Sequence, residues 1–322
     1  MDNCADYIIS LIGTNPLPAF ISILKYSGKN TKIILVHTPH LYDSVIGTEK
    51  VAENLAKVLK EKNKDFNISF YSCDKSDPKK INNSLNEIID KIENDVSINN
   101  TYQNKKKLVL DYTSGTKPMS AIFYSKIYNL DNENIETYVS YVDDNNEEIL
   151  ISSKMEGFKR FLVRDVFLNY DIHIEDITKI HGYDLKNHNL KLKIFNSGTK
   201  LLKTENNERI ELINDNGRKI YIDAIALSNG KLIVFYTSKI EKSGKNEYKY
   251  ELFALKDVAR KLGGDRSRIV YQSNCAESIR KILLKDIKRD YEYDIDKRAK
   301  LIGMDETFED FILKEIFKEG GE

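Results

Sequence analysis

Two stretches of this 322-residue chain gather side chains able to handle an anion. The first is Leu108–Met119, LVLDYTSGTKPM. Leu108 to Tyr112 reads as a buried strand, Thr113-Ser114-Gly115-Thr116 as a tight turn, and Lys117-Pro118-Met119 as a helix start, where proline loses no hydrogen bond. Ser114 or Thr116 can cap that helix, whose free N–H groups form an anion site, and Lys117 adds a point charge. A strand, a Ser-Gly-Thr-Lys turn and a helix N-terminus together hold a phosphate, although the Walker A spacing is absent. In the second stretch, strands Lys219–Leu227 and Lys231–Tyr236 flank Ser228-Asn229-Gly230, a hairpin turn. Asp223 lies on the first strand and Thr237-Ser238-Lys239 ends the second, so a carboxylate, a hydroxyl and an ammonium reach one rim.

The elements around the first stretch alternate between strand and helix. Strands are expected at Tyr7–Ile12, Lys32–Val36, Asn67–Ser72 and Leu108–Tyr112, with helices at Ala19–Leu24, Glu49–Lys62, Lys79–Glu93 and Ser120–Leu130. A polar loop, Asn94–Lys107, precedes the fourth strand; its Lys105-Lys106-Lys107 run reads as a solvated loop. Glu136–Val142 and Glu148–Ser152 form a hairpin across Asp143-Asp144-Asn145-Asn146. This rhythm predicts an α/β fold with a mainly parallel, doubly wound sheet and a hairpin at one edge. Ligands of such sheets bind beyond the carboxyl ends of the strands. The segments leaving those ends are Gly13-Thr14-Asn15-Pro16, His37-Thr38-Pro39 and Thr113–Lys117, all polar and compact. They suit a phosphate-bearing ligand, and the first lacks the G-x-G-x-x-G of a dinucleotide site.

The second half has a different texture. Phe158–Leu168 is amphipathic, the segment from Asp176 to Gly182 reads as a short helix with a glycine stop, and Asn187–Glu208 is polar without a clear period. After the hairpin come a helix at Glu251–Leu262 with a Gly263-Gly264 stop, a strand at Arg268–Gln272, and helices at Ala276–Lys285 and Glu306–Lys318.

Composition narrows the class. Fifty Lys and Arg balance fifty Asp and Glu, so no overall basic field announces nucleic acid. The three cysteines, Cys4, Cys73 and Cys275, fit neither a disulfide framework nor a zinc pattern, and no apolar run is long enough to span a membrane. A cytoplasmic protein without a membrane partner is expected. His37, His40, His173, His181 and His188 have no metal-ligand spacing, and the 19 tyrosines look scattered rather than gathered into a stacking platform.

The Gly-Thr-Asn-Pro-Leu-Pro turn at Gly13 and the Asp-Tyr-Thr-Ser-Gly-Thr-Lys-Pro-Met turn at Asp111 resemble those of CARF domains. These are the Rossmann-like sensors of cyclic oligoadenylates in type III CRISPR defence. The resemblance implies a homodimer with the ligand, here cyclic tetra-adenylate, lying across the two-fold axis. Its contacts would come from Gly13, Thr14, Asn15, Pro16, Thr38, Thr113, Ser114, Gly115, Thr116 and Lys117. The spacing of Asp223, Thr237 and Lys239 is similar to the PD-(D/E)xK nuclease core, with Thr237 where the second acid is expected. In that core the acids hold Mg²⁺ or Mn²⁺ and the lysine orients water or phosphate. The catalytic set implied here is Asp223, Thr237 and Lys239, with Asp223 as the metal ligand.

The run Tyr250–Gly264, the segment Ile177–Gly182 and the segment Arg298–Gly303 resemble one CARF branch, the CRISPR ancillary nucleases that fuse a CARF domain to a PD-(D/E)xK domain. The implied organisation is a CARF domain over 1–153, a helical connection over 154–185 and a restriction-endonuclease-like α/β domain over 186–322. The implied function is a messenger sensor that activates a metal-dependent endonuclease on DNA or RNA. Two alternatives stay open. One is a messenger- or partner-binding protein with a degenerate nuclease domain. The other is a ring nuclease that opens its own ligand with help from Ser114 or Lys117. The helix-borne glutamate of the nuclease core has no assigned residue; Glu205, Glu208 and Glu211 fall in an unplaced segment.

Overall fold

The computed structural model describes residues 4–40, 47–99, 105–143, 147–187, 189–196, 198–206, 208–228, 230–240, 245–264, 267–290 and 299–319. The chain divides into two compact units, one of residues 4–171 and 179–182, the other of residues 172–178 and 183–319.

The first unit is built on a seven-stranded sheet. In chain order it contains β1 (Tyr7–Leu11), α1 (Leu17–Tyr26), β2 (Lys32–His37), α2 (Glu49–Lys62), β3 (Asn67–Ser72), α3 (Pro78–Asn99), β4 (Lys106–Asp111), α4 (Lys117–Tyr128), β5 (Ile135–Asp143), β6 (Glu148–Ser153), β7 (Gly157–Leu162) and α5 (Val163–Asn169). The strand order is β3-β2-β1-β4-β5-β6-β7, parallel from β3 to β5 and antiparallel thereafter. The chain winds outward from β1 to β3 and then returns to place β4 on the other side of β1. The strand order therefore reverses between β1 and β4, whose carboxyl ends carry the two turns singled out in the sequence.

Apolar side chains explain why the layers hold. Ile9, Leu11, Val36, Leu108 and Leu110 meet Ile81, Leu85 and Ile88 of α3 and Met119, Phe123 and Ile127 of α4 in one fully buried core. On the other face α1 is buried on nearly all sides, which matches its almost wholly apolar sequence. Fully burying each Leu, Ile or Phe contributes roughly 1.5–3 kcal/mol.

Three expectations for this unit change. The amphipathic run Phe158–Leu168 holds two elements: its first part is β7, because Phe158 and Lys159 pair with Ser152 and Ile151, and the remainder is α5. The hairpin edge is consequently a three-stranded antiparallel meander. Lys106 and Lys107 begin β4 rather than forming a loop, and Lys106 pairs with Asp6 at 3.0 Å. The Asp144–Asn146 turn lies outside the described residues.

Between the two sheets in sequence comes α6 (Ile174–Ile180). The predicted glycine stop is in place: Gly182 has φ +80°, a left-handed conformation that suits a residue without a Cβ.

The second unit has two sheets. A three-stranded sheet contains β8 (Tyr183–Leu185), β11 (Ile210–Asn214) and β12 (Lys219–Ile222). A six-stranded sheet has the order β16-β15-β14-β13-β10-β9, from β9 (Leu190–Asn196), β10 (Thr199–Thr204), β13 (Ala224–Ser228), β14 (Lys231–Thr237), β15 (Arg268–Gln272) and β16 (Ala299–Ile302). The helices are α7 (Lys245–Gly263), α8 (Glu277–Asp290) and α9 (Phe308–Glu319). Phe311 and Ile312 of α9 join Leu201, Ala224, Ile233, Phe235 and Val270 in the core on one face.

The polar 187–208 segment is therefore mostly strand. β10 buries Leu201 and Leu202 on opposite faces, but Lys200 and Lys203 flank them, and β9 is an exposed edge, so the stretch shows no continuous hydrophobic run. The expected single strand Lys219–Leu227 is two strands of different sheets, broken at Asp223. Asn229, His188 and Arg298 lie outside the described residues. Among the described residues no helix is long and apolar enough to cross a membrane.

Candidate functional site

The turn after β1 and the turn after β4 pack on each other. Gly13 lies so close to the next turn that a Cβ there would overlap the Ser114 carbonyl oxygen. The Ser114 hydroxyl donates to the Asn15 carbonyl at 3.1 Å, and the Asn15 side-chain oxygen accepts from Leu17 N–H at 3.2 Å, at the start of α1. Thr116 is the residue that caps α4, accepting from Met119 N–H at 3.4 Å while its hydroxyl donates to the Lys75 carbonyl at 2.6 Å. Thr14 and Lys117 are exposed, and Lys117 has no ion-pair partner among the described residues. These two side chains and the Lys117 N–H remain available at this rim, since Pro118 has no N–H and the N–H groups of Met119 and Ser120 are bonded to Thr116.

Other predicted contacts are occupied by the scaffold. Thr113 donates its hydroxyl to Asp111 at 2.6 Å and accepts Val142 N–H at 2.9 Å, locking the base of the turn. Pro16 is buried at the start of α1, and Thr38 is buried with its N–H on the Thr48 hydroxyl at 3.0 Å. Gly115 is held against Leu11 and Ser120, where a Cβ would come within 2.6 Å and 2.7 Å of their side chains.

Two features escaped the sequence reading. Asp111 is fully buried and gathers the Ser10 hydroxyl at 2.8 Å, the Thr113 hydroxyl and the Thr113 N–H at 3.2 Å. Burial pushes its carboxyl above the ordinary aspartate range, against the hydrogen bonds that favour the charged form. His181 places Nε2 3.3 Å from the Asn15 side-chain oxygen, 166 residues away in sequence. No spacing rule could have found that pair; only the chain's return to the first unit brings it together.

The tyrosines also need correcting, because four of them gather beside the second turn. Tyr112 lies 5.2 Å from Tyr124 edge-on and 5.6 Å from Tyr141, and Tyr124 stacks on Tyr128 at 5.4 Å. They come from the end of β4, from α4 and from β5, so the flank is a product of topology. Each ring remains partly open to solvent.

In the second unit, Asp223, Thr237 and Lys239 do meet. They line one cavity of about 690 Å³ with Lys193, Lys203, Gln272, Met304 and the run Glu306 to Glu309. Asp223 occupies the break between β12 and β13, where its N–H pairs with Phe235 and one carboxylate oxygen accepts Thr237 N–H at 2.6 Å. Arg209 brings Nε to 3.5 Å from the other oxygen, donates from Nη2 to the Thr237 carbonyl at 2.9 Å, and lies 4.3 Å over the Tyr236 ring. The Thr237 hydroxyl donates to Gln272 at 3.0 Å. Lys239 is exposed.

This donor set does not fit a divalent cation. Among the described residues no group of three or more His, Cys, Asp or Glu is arranged to hold a metal. Asp223 supplies one carboxylate already facing an N–H and a guanidinium, and Thr237 offers no charge. Glu205, Glu208 and Glu211 do not line the cavity; Glu211 pairs with Lys219 at 2.8 Å. The acids that do reach it are Glu306 and Glu309, from the C-terminal end of the chain, and they are paired with Lys314 at 3.0 Å and Lys203 at 2.6 Å.

The sequence matches no protein-family model and no curated protein. Solved structures match it through their fold. Can2 from Sulfobacillus thermosulfidooxidans, in complex with cyclic tetra-adenylate, is 12% identical, with 98% of each chain covered and a TM-score of 0.64. The protein VC1899 from Vibrio cholerae is 13% identical, with 98% of each chain covered and a TM-score of 0.66. A type III CRISPR defence DNA nuclease activated by cyclic oligoadenylate is 10% identical with a TM-score of 0.52, the match spanning 96% of this chain and 44% of that one. Over almost its whole length, the chain has the fold of the CARF-domain CRISPR ancillary nucleases that its two turn motifs resemble, a CARF-type parallel sheet followed by a nuclease-like α/β unit.

Proposed function

We propose that this chain is a receptor for cyclic tetra-adenylate in type III CRISPR antiviral defence, working as a homodimer and controlling its nuclease-like C-terminal unit. The observation that carries this reading is the convergence of the Gly13–Pro16 and Thr113–Lys117 turns at the point where strand order reverses. A cyclic oligonucleotide presents several phosphodiesters around a ring. The Lys117 N–H and ammonium and the Thr14 hydroxyl offer donors to one part of it, and a two-fold axis doubles the set. The fold shared with Can2, a protein solved with this ligand, supports the same assignment.

Lys117 is the cation of the set. Lys117→Ala is expected to weaken cyclic tetra-adenylate binding about tenfold, the loss of one charge-assisted contact. Isothermal titration calorimetry measures this, and an unchanged affinity would reject the site.

The dimer reading draws on the tyrosine flank. Ala121 and Ser125 are exposed on α4 beside Tyr124 and Tyr128, giving small and aromatic residues a common outward face. A second copy of this chain covers such a face with little loss of side-chain entropy. Tyr141→Glu, at a ring 39% exposed, is expected to shift the protein from dimer to monomer in sedimentation velocity. A wild-type profile at equal concentration would place the interface elsewhere.

By linkage, the ligand can bias the effector unit only through different affinities for two states. One reading of the output is hydrolysis of DNA or RNA with Mg²⁺ or Mn²⁺, favoured by the meeting of Asp223, Thr237 and Lys239 on one cavity. The shortage of carboxylates there favours an output that does not cut.

A further inference from the structure

The C-terminal cavity supports an inference that does not depend on what the N-terminal turns bind. We propose that it is a metal-independent binding site for the phosphodiester backbone of a nucleic-acid strand, with Lys239 and Lys193 of its lining supplying the positive charge and Arg209 occupying the side of Asp223 where a divalent ion would otherwise sit. Three contacts fix Arg209: the Asp223 carboxylate, the Thr237 carbonyl and the Tyr236 ring. A cation entering next to Asp223 would have to displace this guanidinium or sit against it.

The balance of charge around the cavity points to an anionic guest. Each lining carboxylate is engaged: Asp223 by Arg209, Glu309 by Lys203 and Glu306 by Lys314. Lys239 is left with no ion-pair partner among the described residues, and the exposed Lys193 has its ammonium 5.1 Å over the Phe195 ring. Phe308 and Met304 add apolar surface against which a sugar or base can rest. A volume of about 690 Å³ is that of a ligand-sized cleft. Nothing in this set acidifies a water, so a bound strand leaves the cavity intact.

The test uses the full chain with fluorescein-labelled single-stranded RNA and, separately, single-stranded DNA. Anisotropy is read in EDTA and in Mn²⁺, with and without cyclic tetra-adenylate, and the strands are afterwards resolved on a denaturing gel. Retention of either strand in EDTA as strong as in Mn²⁺, with no shortening, is the expected result, and the stronger arm identifies the kind of strand. Lys239→Ala should weaken retention about tenfold and lower the slope of log K against log salt by about 0.7. Arg209→Gln should weaken it as well; because Arg209 is built into the strand junction, the exposed Lys239 provides the variant that keeps the fold. Three results would overturn the proposal: retention that requires Mn²⁺, retention of neither strand, or Mn²⁺-dependent shortening that Asp223→Ala abolishes. Wild-type affinity and salt slope in Lys239→Ala would overturn it too. Calorimetric binding of cyclic tetra-adenylate is unaffected by any of these outcomes, so the two readings fail separately.

Discussion

Gly13→Ala is expected to remove cyclic tetra-adenylate binding by at least about a hundredfold, or some 2.8 kcal/mol. The added Cβ would overlap the Ser114 carbonyl oxygen and lie 3.1 Å from its carbonyl carbon and 3.2 Å from its Cβ. These are mainly backbone atoms of a turn held from below by Thr113 and Asp111, so no flexible side-chain end can yield. The turns must separate, and the Ser114–Asn15 hydrogen bond goes with them. Overpacking of this kind costs about 1–3 kcal/mol of stability, so thermal unfolding should fall by a few degrees while the sheet survives. Gly115→Ala provides the contrast, because the atoms it meets first are the ends of the Leu11 and Ser120 side chains, which can turn away. Calorimetry on both variants checks the ranking. Equal and undiminished binding by the two would mean that the paired turns do not form one site.

The second large effect is expected at Asp111. Asp111→Ala should destabilise the first unit by about 3 kcal/mol or more. It orphans the fully buried Ser10 hydroxyl and the half-buried Thr113 hydroxyl and N–H, and each buried unsatisfied group costs roughly 1–3 kcal/mol. Ser10 and Asp111 are register partners on β1 and β4, so the loss falls directly beneath the two turns.

Asp111→Asn separates charge from hydrogen bonding. Burial raises the carboxyl's pKa in the folded state, so the folded chain binds that proton more tightly than the unfolded chain does. The stability this group contributes is therefore greatest at low pH and is lost as pH rises from the ordinary aspartate range through the raised value. Asp111→Asn is expected to keep the fold and flatten that slope in urea unfolding measured across pH. An unaltered slope would mean that another group carries it.

Several elements were legible because their signal is local. The helix at Glu49–Lys62 and the strands at Asn67–Ser72 and Arg268–Gln272 have the bounds their periodicity predicts. Asp223, Thr237 and Lys239 share a cavity as their hairpin spacing requires, since a two-stranded turn carries its own geometry. The misread elements failed for different reasons. β7 and α5 share one amphipathic run, and the change from strand to helix inside it is set by pairing with β6, which no local pattern records. β9 is an exposed edge and β10 sets its two buried leucines between lysines, so neither has the apolar run that marks a buried strand.

The amino-acid sequence alone determined the alternating strands and helices, the two turns and their anion chemistry, and the carboxylate–threonine–lysine spacing, because each depends on residues within about fifteen positions of one another. Tertiary structure decided what those groups are free to do. It placed the two turns on adjacent strands, gathered Tyr112, Tyr124, Tyr128 and Tyr141, and set Arg209, just ahead of β11, against Asp223. Whether a carboxylate faces a metal, an N–H or a guanidinium is fixed by atoms a few ångströms away in space. The order of residues along the chain does not contain that distance until the sheets have formed.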